Sequence, residues 1–290
     1  MVRIGAFLVG LFFAGWLVIS ALVGAVAFVT EPPAATAEHE FHLHPKEVDY
    51  SFNGPFGKYD RQQLQRGFQV FSEVCSACHS LKFVAFRDLK GIGYNEAEIK
   101  AIAKNWKIKT PDVDPKTGEA STRAPIPADY FPHPFANNVA AAAANNNAIP
   151  PDLSLMTKAR HDGTDYVYSL LTGFTSQEGF KNEKGQEILK EFPDAKTPTG
   201  LHFNPYFANL NLAMAPPLTA EGQVTYGEGQ PKPTVDQMAK DVAAFLTWTA
   251  EPKLENRRSA GLATIIFLLI ATGLAYMSYQ NIWADKKKAA

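Results

Sequence analysis

Apolar positions along the chain form two long uncharged runs near its ends and helical stripes in a polar middle. The first run, Ile4 to Val29, is uncharged over 26 residues, whereas a membrane span needs about 20 and a cleaved signal core about 7–15. A retained N-terminal transmembrane helix or signal-anchor over residues 1–30 is expected; Ala35-Thr36-Ala37, an Ala-x-Ala cleavage pattern, keeps removal open. The second run, Ala260 to Met277, continues through Tyr276, Tyr279 and Trp283, aromatics suited to a membrane interface. A transmembrane helix over 257–284 follows. Lys286, Lys287 and Lys288 then favour a cytoplasmic tail, 285–290, with Arg257 and Arg258 blunting the asymmetry. Both ends face the cytoplasm in this reading, and residues 31–256 form an external domain.

Two stripes organise that domain. From Asp60 to His79, Leu64, Phe68, Phe71, Val74 and Cys75 recur at spacings of three and four, and Asp60 supplies a cap. Gly67 on this helix costs about 1 kcal/mol relative to Ala unless a neighbour needs the space. The expected neighbour is Thr234 to Ala250, where Thr234 and Gln237 spell a capping box and Val235, Met238, Val242, Phe245, Leu246 and Trp248 make a broad apolar face. Between them lies a Pro-, Gly- and Asn-rich stretch with short helices expected at Asp165–Thr172, around Met156 and within Val139–Asn147.

Charge adds a partner class. Between residues 32 and 256 there are 22 basic and 27 acidic side chains, a net charge near −5, which either keeps the domain soluble or steers a basic partner. No basic patch supports nucleic-acid binding, and no paired carboxylates, phosphate loop or Ser/His/Asp arrangement offers bond-breaking chemistry. The N-terminus has one Arg and no Ser/Arg-rich amphipathic stretch, so a bacterial plasma membrane is expected, with the external domain in the periplasm.

Cys75-Ser76-Ala77-Cys78-His79 uses both cysteines of the chain in the pattern by which haem is covalently attached. A zinc site needs about four Cys/His ligands, and the other histidines make no second paired spacing. A thioredoxin-like motif wants a strand before it; here a helix precedes. One covalent haem c with His79 as an axial ligand is therefore expected. A helix leading into this motif and crossed near a glycine by an aromatic-rich C-terminal helix is the arrangement of the class I cytochrome c fold. The fold class expected is thus mainly α, a class I cytochrome c-like domain with long loops plus the two terminal helices.

Met214 is the leading sixth ligand, because Ala213-Met214-Ala215-Pro216-Pro217 flanks the sulfur with small residues and then denies helix. It also lies shortly before the C-terminal helix, where that fold places its methionine loop. Met238 sits on an apolar helix face and Met156 in a short helix; His202 and His161 are the rivals. His/Met ligation raises the potential and closes the iron to substrate.

The ordered set of motifs resembles the cytochrome c1 family, the haem subunits of cytochrome bc1 complexes. It comprises Arg66-Gly-Phe-Gln-Val-Phe71 running into Cys75–Ser80, Val84-Ala-Phe-Arg87, Asn145-Asn-Asn-Ala-Ile-Pro-Pro-Asp-Leu-Ser154, Ala159-Arg-His161, Asp165–Gly173, Phe203-Asn-Pro-Tyr-Phe207, Met214–Pro217 and Ala250-Glu-Pro252. The resemblance implies that Cys75 and Cys78 hold the haem and that His79 and Met214 are axial. It also implies that Arg160 pairs with a propionate, that Tyr166 lines the pocket, and that Asn145 and Pro151 border the cofactor. Its implied partners are cytochrome b, a Rieske iron–sulfur donor, a soluble or membrane-bound cytochrome c acceptor and membrane lipid, in a dimeric complex. Lys107 to Pro134 matches poorly apart from Asp129–Pro132, and the N-terminal run is longer than the family's cleaved signal. Two rival functions stand beside this one: a membrane-anchored cytochrome of another dehydrogenase or oxidase, and a haem protein with an exchangeable sixth ligand.

Overall fold

The computed structural model describes residues 2–30 and 34–288, without the side chains of 285–288. The expected start of the external domain at 31–33, and the lysine side chains and last two residues of the expected tail, lie outside the described residues. The helices are α1 (Val2–Thr30), α2 (Ala37–Phe41), α3 (Arg61–Glu73), α4 (Glu96–Lys104), α5 (Asn138–Ala144), α6 (Met156–Ala159), α7 (Gly163–Thr172), α8 (Ile188–Glu191), α9 (Val235–Ala250) and α10 (Leu254–Lys288). Strands β1 (Thr110–Val113) and β2 (Ala120–Arg123) pair antiparallel, as do β3 (His202–Phe203) and β4 (Asn211–Leu212). The chain is mainly α, as its periodicity predicts.

By contacts the chain divides into two compact units, one of residues 1–42 and 178–196 and one of 43–177 and 197–290. The expected external domain, 31–256, is shared between them. In the first unit α1 buries none of its side chains. Thr36 caps α2 by accepting the His39 N–H at 3.3 Å. Phe41 is buried beside the rings of Phe180 and Phe192, at 6.4 and 6.0 Å. Lys184 pairs with Glu40 at 2.7 Å, and Asn182 donates to the Glu40 carbonyl. No periodic signal marks 178–196 as a partner for α2, because the match is made by isolated aromatic residues rather than by a stripe.

The second unit is built on the crossing of α3 and α9. Asp60 caps α3 through the N–H groups of Gln62 and Gln63, which satisfies donors that the first turn leaves free. Leu64, Phe68 and Phe71 are buried against Met238, Val242 and Phe245 of α9. Each such side chain contributes about 1.5–3 kcal/mol when fully buried. Gly67 marks the crossing: a Cβ there would run into the Asp241 carbonyl and lie 2.7 Å from the Phe245 Cβ.

At the start of α9 the expectation is half met. Thr234 accepts the Gln237 N–H at 3.0 Å, but the Gln237 side chain does not return to Thr234 and complete a box. It donates instead to Asp241 at 2.8 Å. The reason is the buried carboxylate of Asp241, held by Arg66 Nε at 2.8 Å and Gln63 at 3.1 Å; a charge out of water recruits every donor within reach.

Helix α10 starts at Leu254, three residues ahead of the expected 257. Its first turns are tied to the unit, since Glu255 accepts from the Tyr59 N–H and from Arg61, and Arg258 donates to the carbonyls of Phe52 and Gly57. Both α1 and α10 are long and apolar enough to cross a membrane.

Candidate cofactor site

The thiols stand where α3 ends. After Glu73 the backbone tightens into a 3₁₀ turn, Cys75–Ala77, in which the N–H groups of Cys78 and His79 both donate to the Cys75 carbonyl, at 3.1 and 2.9 Å. Ser76 anchors the turn by donating to the Ser72 carbonyl at 2.8 Å. Both cysteines are free. Burial, reinforced by Cys78, pushes the Cys75 thiol up to about 12, so it is held as a thiol rather than a thiolate.

His79 is oriented from a segment 72 residues away. Its Nδ1 lies 2.8 Å from the Pro151 carbonyl, which can only accept, so Nδ1 carries the proton and Nε2 keeps its lone pair. Burial also lowers the imidazole's affinity for a second proton, although the Pro151 bond opposes that shift. A neutral, single-tautomer imidazole with a fixed second-nitrogen partner is the usual form of a metal-ligating histidine.

Asp152 fixes that segment to the motif. One carboxylate oxygen accepts from the Ser80 hydroxyl at 2.7 Å and the Lys82 N–H at 2.8 Å, and the other from the Ser154 N–H at 3.1 Å. The buried Ser154 receives the Phe83 N–H, and Leu153 N–H donates to the Ser80 carbonyl at 2.9 Å. Neither Asp152 nor Ser154 stood out as a site residue in the sequence; their position just after Pro150-Pro151 was the available signal. A cavity of about 1020 Å³ opens beside Cys78, lined by Pro150, Pro151, Tyr130 and Phe135 among others.

The remaining candidates divide. Arg160 ends α6 as an exposed residue and Tyr166 is half-buried in α7. Burial raises the Tyr166 phenol and the adjacent Arg160 guanidinium draws it partly back, so the two are neighbours. Asn145 ends α5 and spends its side-chain amide on the Ala141 carbonyl at 2.7 Å. Met238 is fully buried in the core and Met156 packs against it.

Met214 is half-buried in irregular chain two residues beyond β4. The β3–β4 pair sets it there, and buried Asn204 ties that hairpin to α7 by donating to the Leu170 carbonyl at 2.8 Å. Of the rival ligands, His202 sits in β3 opposite Leu212, while the His161 side chain is 98% exposed and pairs with Asp162.

The Cytochrome C1 family profile matches residues 50–286 of the chain. The chain belongs to the cytochrome c1 family. It is 44% identical to a cytochrome c1 from Rhodospirillum rubrum, over 92% of this chain and 97% of that one. It is 39% identical to the mitochondrial cytochrome c1 heme protein of Saccharomyces cerevisiae, over 90% of this chain and 77% of that one. A protein named cytochrome b/c1 from Bradyrhizobium diazoefficiens is 42% identical over 91% of this chain, which spans 39% of its length.

Membership of the cytochrome c1 family makes the chain an electron-transfer haem subunit of the bc1 type and implies a haem c cofactor. The residues present fit one. Two thiols on a single turn and an imidazole with Nε2 left free by Pro151 form a donor set for a covalently held iron porphyrin.

Proposed function

We propose that this chain takes electrons from a Rieske iron–sulfur protein and passes them to a soluble or membrane-bound cytochrome c, assembled with cytochrome b in a dimeric complex. Cys75 and Cys78 would hold one haem c covalently, and His79 and Met214 would be its two iron ligands. Arg160 and Tyr166 face a propionate, and Asn145 and Pro151 border the group. When bound, haem c supplies a one-electron iron couple. The protein's own work is to hold the imidazole in one tautomer, to keep water from the iron with Met214 and the flanking prolines, and to offset propionate charge with Arg160.

The observation that carries this reading is the 2.8 Å bond between His79 Nδ1 and the Pro151 carbonyl, made on the same turn that presents both thiols. The b/c1 name of one relative supports cytochrome b as a neighbour. The redox partners follow from the family, and a net charge near −5 on residues 32–256 supports a basic acceptor. In this reading α1 and α10 cross a bacterial plasma membrane, the haem lies on the periplasmic side, and the C-terminus is cytoplasmic.

Met214→Leu in the purified haem-loaded chain tests the ligand set. Loss of the sulfur-to-iron charge-transfer band and a sharp fall in midpoint potential are expected, with carbon monoxide binding only after the substitution. An unchanged band, or carbon monoxide uptake by the native reduced protein, sinks the Met-ligated relay.

A further inference from the structure

We propose that a polar brace running from Gln223 to the Arg66–Asp241 pair positions the Met214 segment, so that Gln69, Arg66, Gln223 and Gln230 are positioning residues for the sixth iron ligand. The inference rests on Met214 being that ligand.

The chain after Met214 is pinned at successive points. Gln223 donates from Nε2 to the Pro217 carbonyl at 2.8 Å and accepts the Thr219 N–H at 2.9 Å, so one side chain closes the turn that begins three residues after Met214. Inside that turn Leu218 is buried, and Val224 immediately after it is fully buried. The Gly222 N–H donates to the Pro233 carbonyl at 2.8 Å, tying the turn to the residue before the α9 cap.

Helix α3 then takes hold of the same loop. Gln69 donates to the Thr225 carbonyl at 2.9 Å, Arg66 donates from Nη1 to Gln230 Oε1 at 2.7 Å, and the Arg66 guanidinium lies 5.8 Å from the Tyr226 ring centroid. Arg66 can make these contacts because Asp241, with no exposed side-chain surface, fixes its other nitrogens at 2.8 and 3.2 Å. The helix that carries the cysteine turn is thereby joined, by the side chains of Gln69 and Arg66, to the loop that follows Met214. Core packing of α3 on α9 needs none of the Gln69, Gln223 or Gln230 bonds, since the apolar face and Gly67 make that contact. These constraints, spaced along the chain from Pro217 to Gln230, restrict its open conformations, and that raises the fraction of time the sulfur stands at the iron.

The test is the double variant Gln69→Ala/Gln230→Ala in the full-length, haem-loaded chain, beside Gln223→Ala and Arg66→Lys. Lysine keeps a charge for Asp241 but lacks the fork that reaches Gln230. The probe is imidazole, which competes with the methionine for ferric iron. Loss of two hydrogen bonds predicts about tenfold tighter imidazole binding, a weaker charge-transfer band and a lower midpoint potential, with the thermal midpoint little changed. Arg66→Lys should move the same readouts in the same direction.

Met214→Leu is the control that separates the two readings. If it abolishes the band while the double variant and Gln223→Ala leave imidazole affinity and potential at native values, the brace is refuted. If it leaves the band intact, the ligand assignment itself fails. A double variant that unfolds before the readouts move also refutes the brace, because the bonds then serve stability alone.

Discussion

Gly67 on α3 meets the main-chain carbonyl of Asp241 on α9 in a space that excludes a methyl group. Gly67→Ala therefore sets two terms against each other. Alanine gains about 1 kcal/mol of helix propensity, while overpacking a tight core contact costs about 1–3 kcal/mol. Here the obstacle is backbone rather than a flexible side-chain tip, so the cost belongs at the upper end. Net destabilisation of about 2 kcal/mol is expected by chemical denaturation in detergent, and a stabilised variant would show that the helices can part without loss.

Asp152→Ala should damage the site without touching a cofactor-bonding atom. Its carboxylate accepts two hydrogen bonds, from the Ser80 hydroxyl and the Lys82 N–H, that fasten the Pro151 segment to the chain just after the cysteine turn, and bonds to a charged acceptor are worth about 1.5–3 kcal/mol each. With the Pro151 carbonyl loosened, His79 loses its fixed tautomer. The expected outcome is a loss of about 3 kcal/mol of stability with a shifted midpoint potential, because an imidazole that no longer donates from Nδ1 to Pro151 is a less basic iron ligand. Asp152→Asn, which keeps acceptor capacity in one oxygen, should lose less.

The contrast between Asp60 and Asp241 explains how far the sequence could be read. Asp60 acts on N–H groups two and three positions away, so its cap was visible as a local pattern, and the same is true of the stripes on α3 and α9. Asp241 acts on Arg66, 175 positions away, and nothing periodic records such a pairing. The capping-box expectation at Gln237 failed for that reason: the local rule was outbid by a distant buried charge. The β1–β2 hairpin has no signal in the sequence because Thr-Pro-Asp-Val and Ala-Ser-Thr-Arg show no alternation of apolar and polar residues, although β2 alternates in burial. His79 was legible as a ligand candidate, but its Pro151 partner was named only as a cofactor neighbour, since a backbone carbonyl leaves no residue-type signal.

Arg160→Gln should lower the midpoint potential. A unit positive charge beside a propionate disfavours the ferric state, and because Arg160 is exposed, solvent screening holds the effect to the order of tens of mV. Arg160→Lys should restore most of it, because the effect is one of charge. A midpoint potential unchanged by the glutamine variant would remove Arg160 from the propionate role and leave its contact with Tyr166 as its whole function.

The stretch 107–134 has its own pH signature. Asp129 accepts from both terminal nitrogens of Arg123, at 2.9 Å for Nη2, and from the Ile126 N–H at 2.8 Å, while Asp112 pairs with Arg123 Nε at 3.2 Å. The Arg123 bond, followed by the Ile126 N–H, outweighs burial and holds the Asp129 carboxyl below its ordinary range. A lowered folded pKa means that the unfolded segment binds the proton more readily. The stabilisation is therefore complete above the unfolded value of about 3.9 and is lost as pH falls through the lower folded value. The protection factors of the β1 and β2 amides should fall across that acid window in the native chain. In Asp129→Asn the protection should already be low at neutral pH and nearly flat below it. Arg123 spans both carboxylates, so Asp112→Asn should give a smaller effect of the same sign, and equal protection in all three proteins would remove the ion pair from the account of this hairpin.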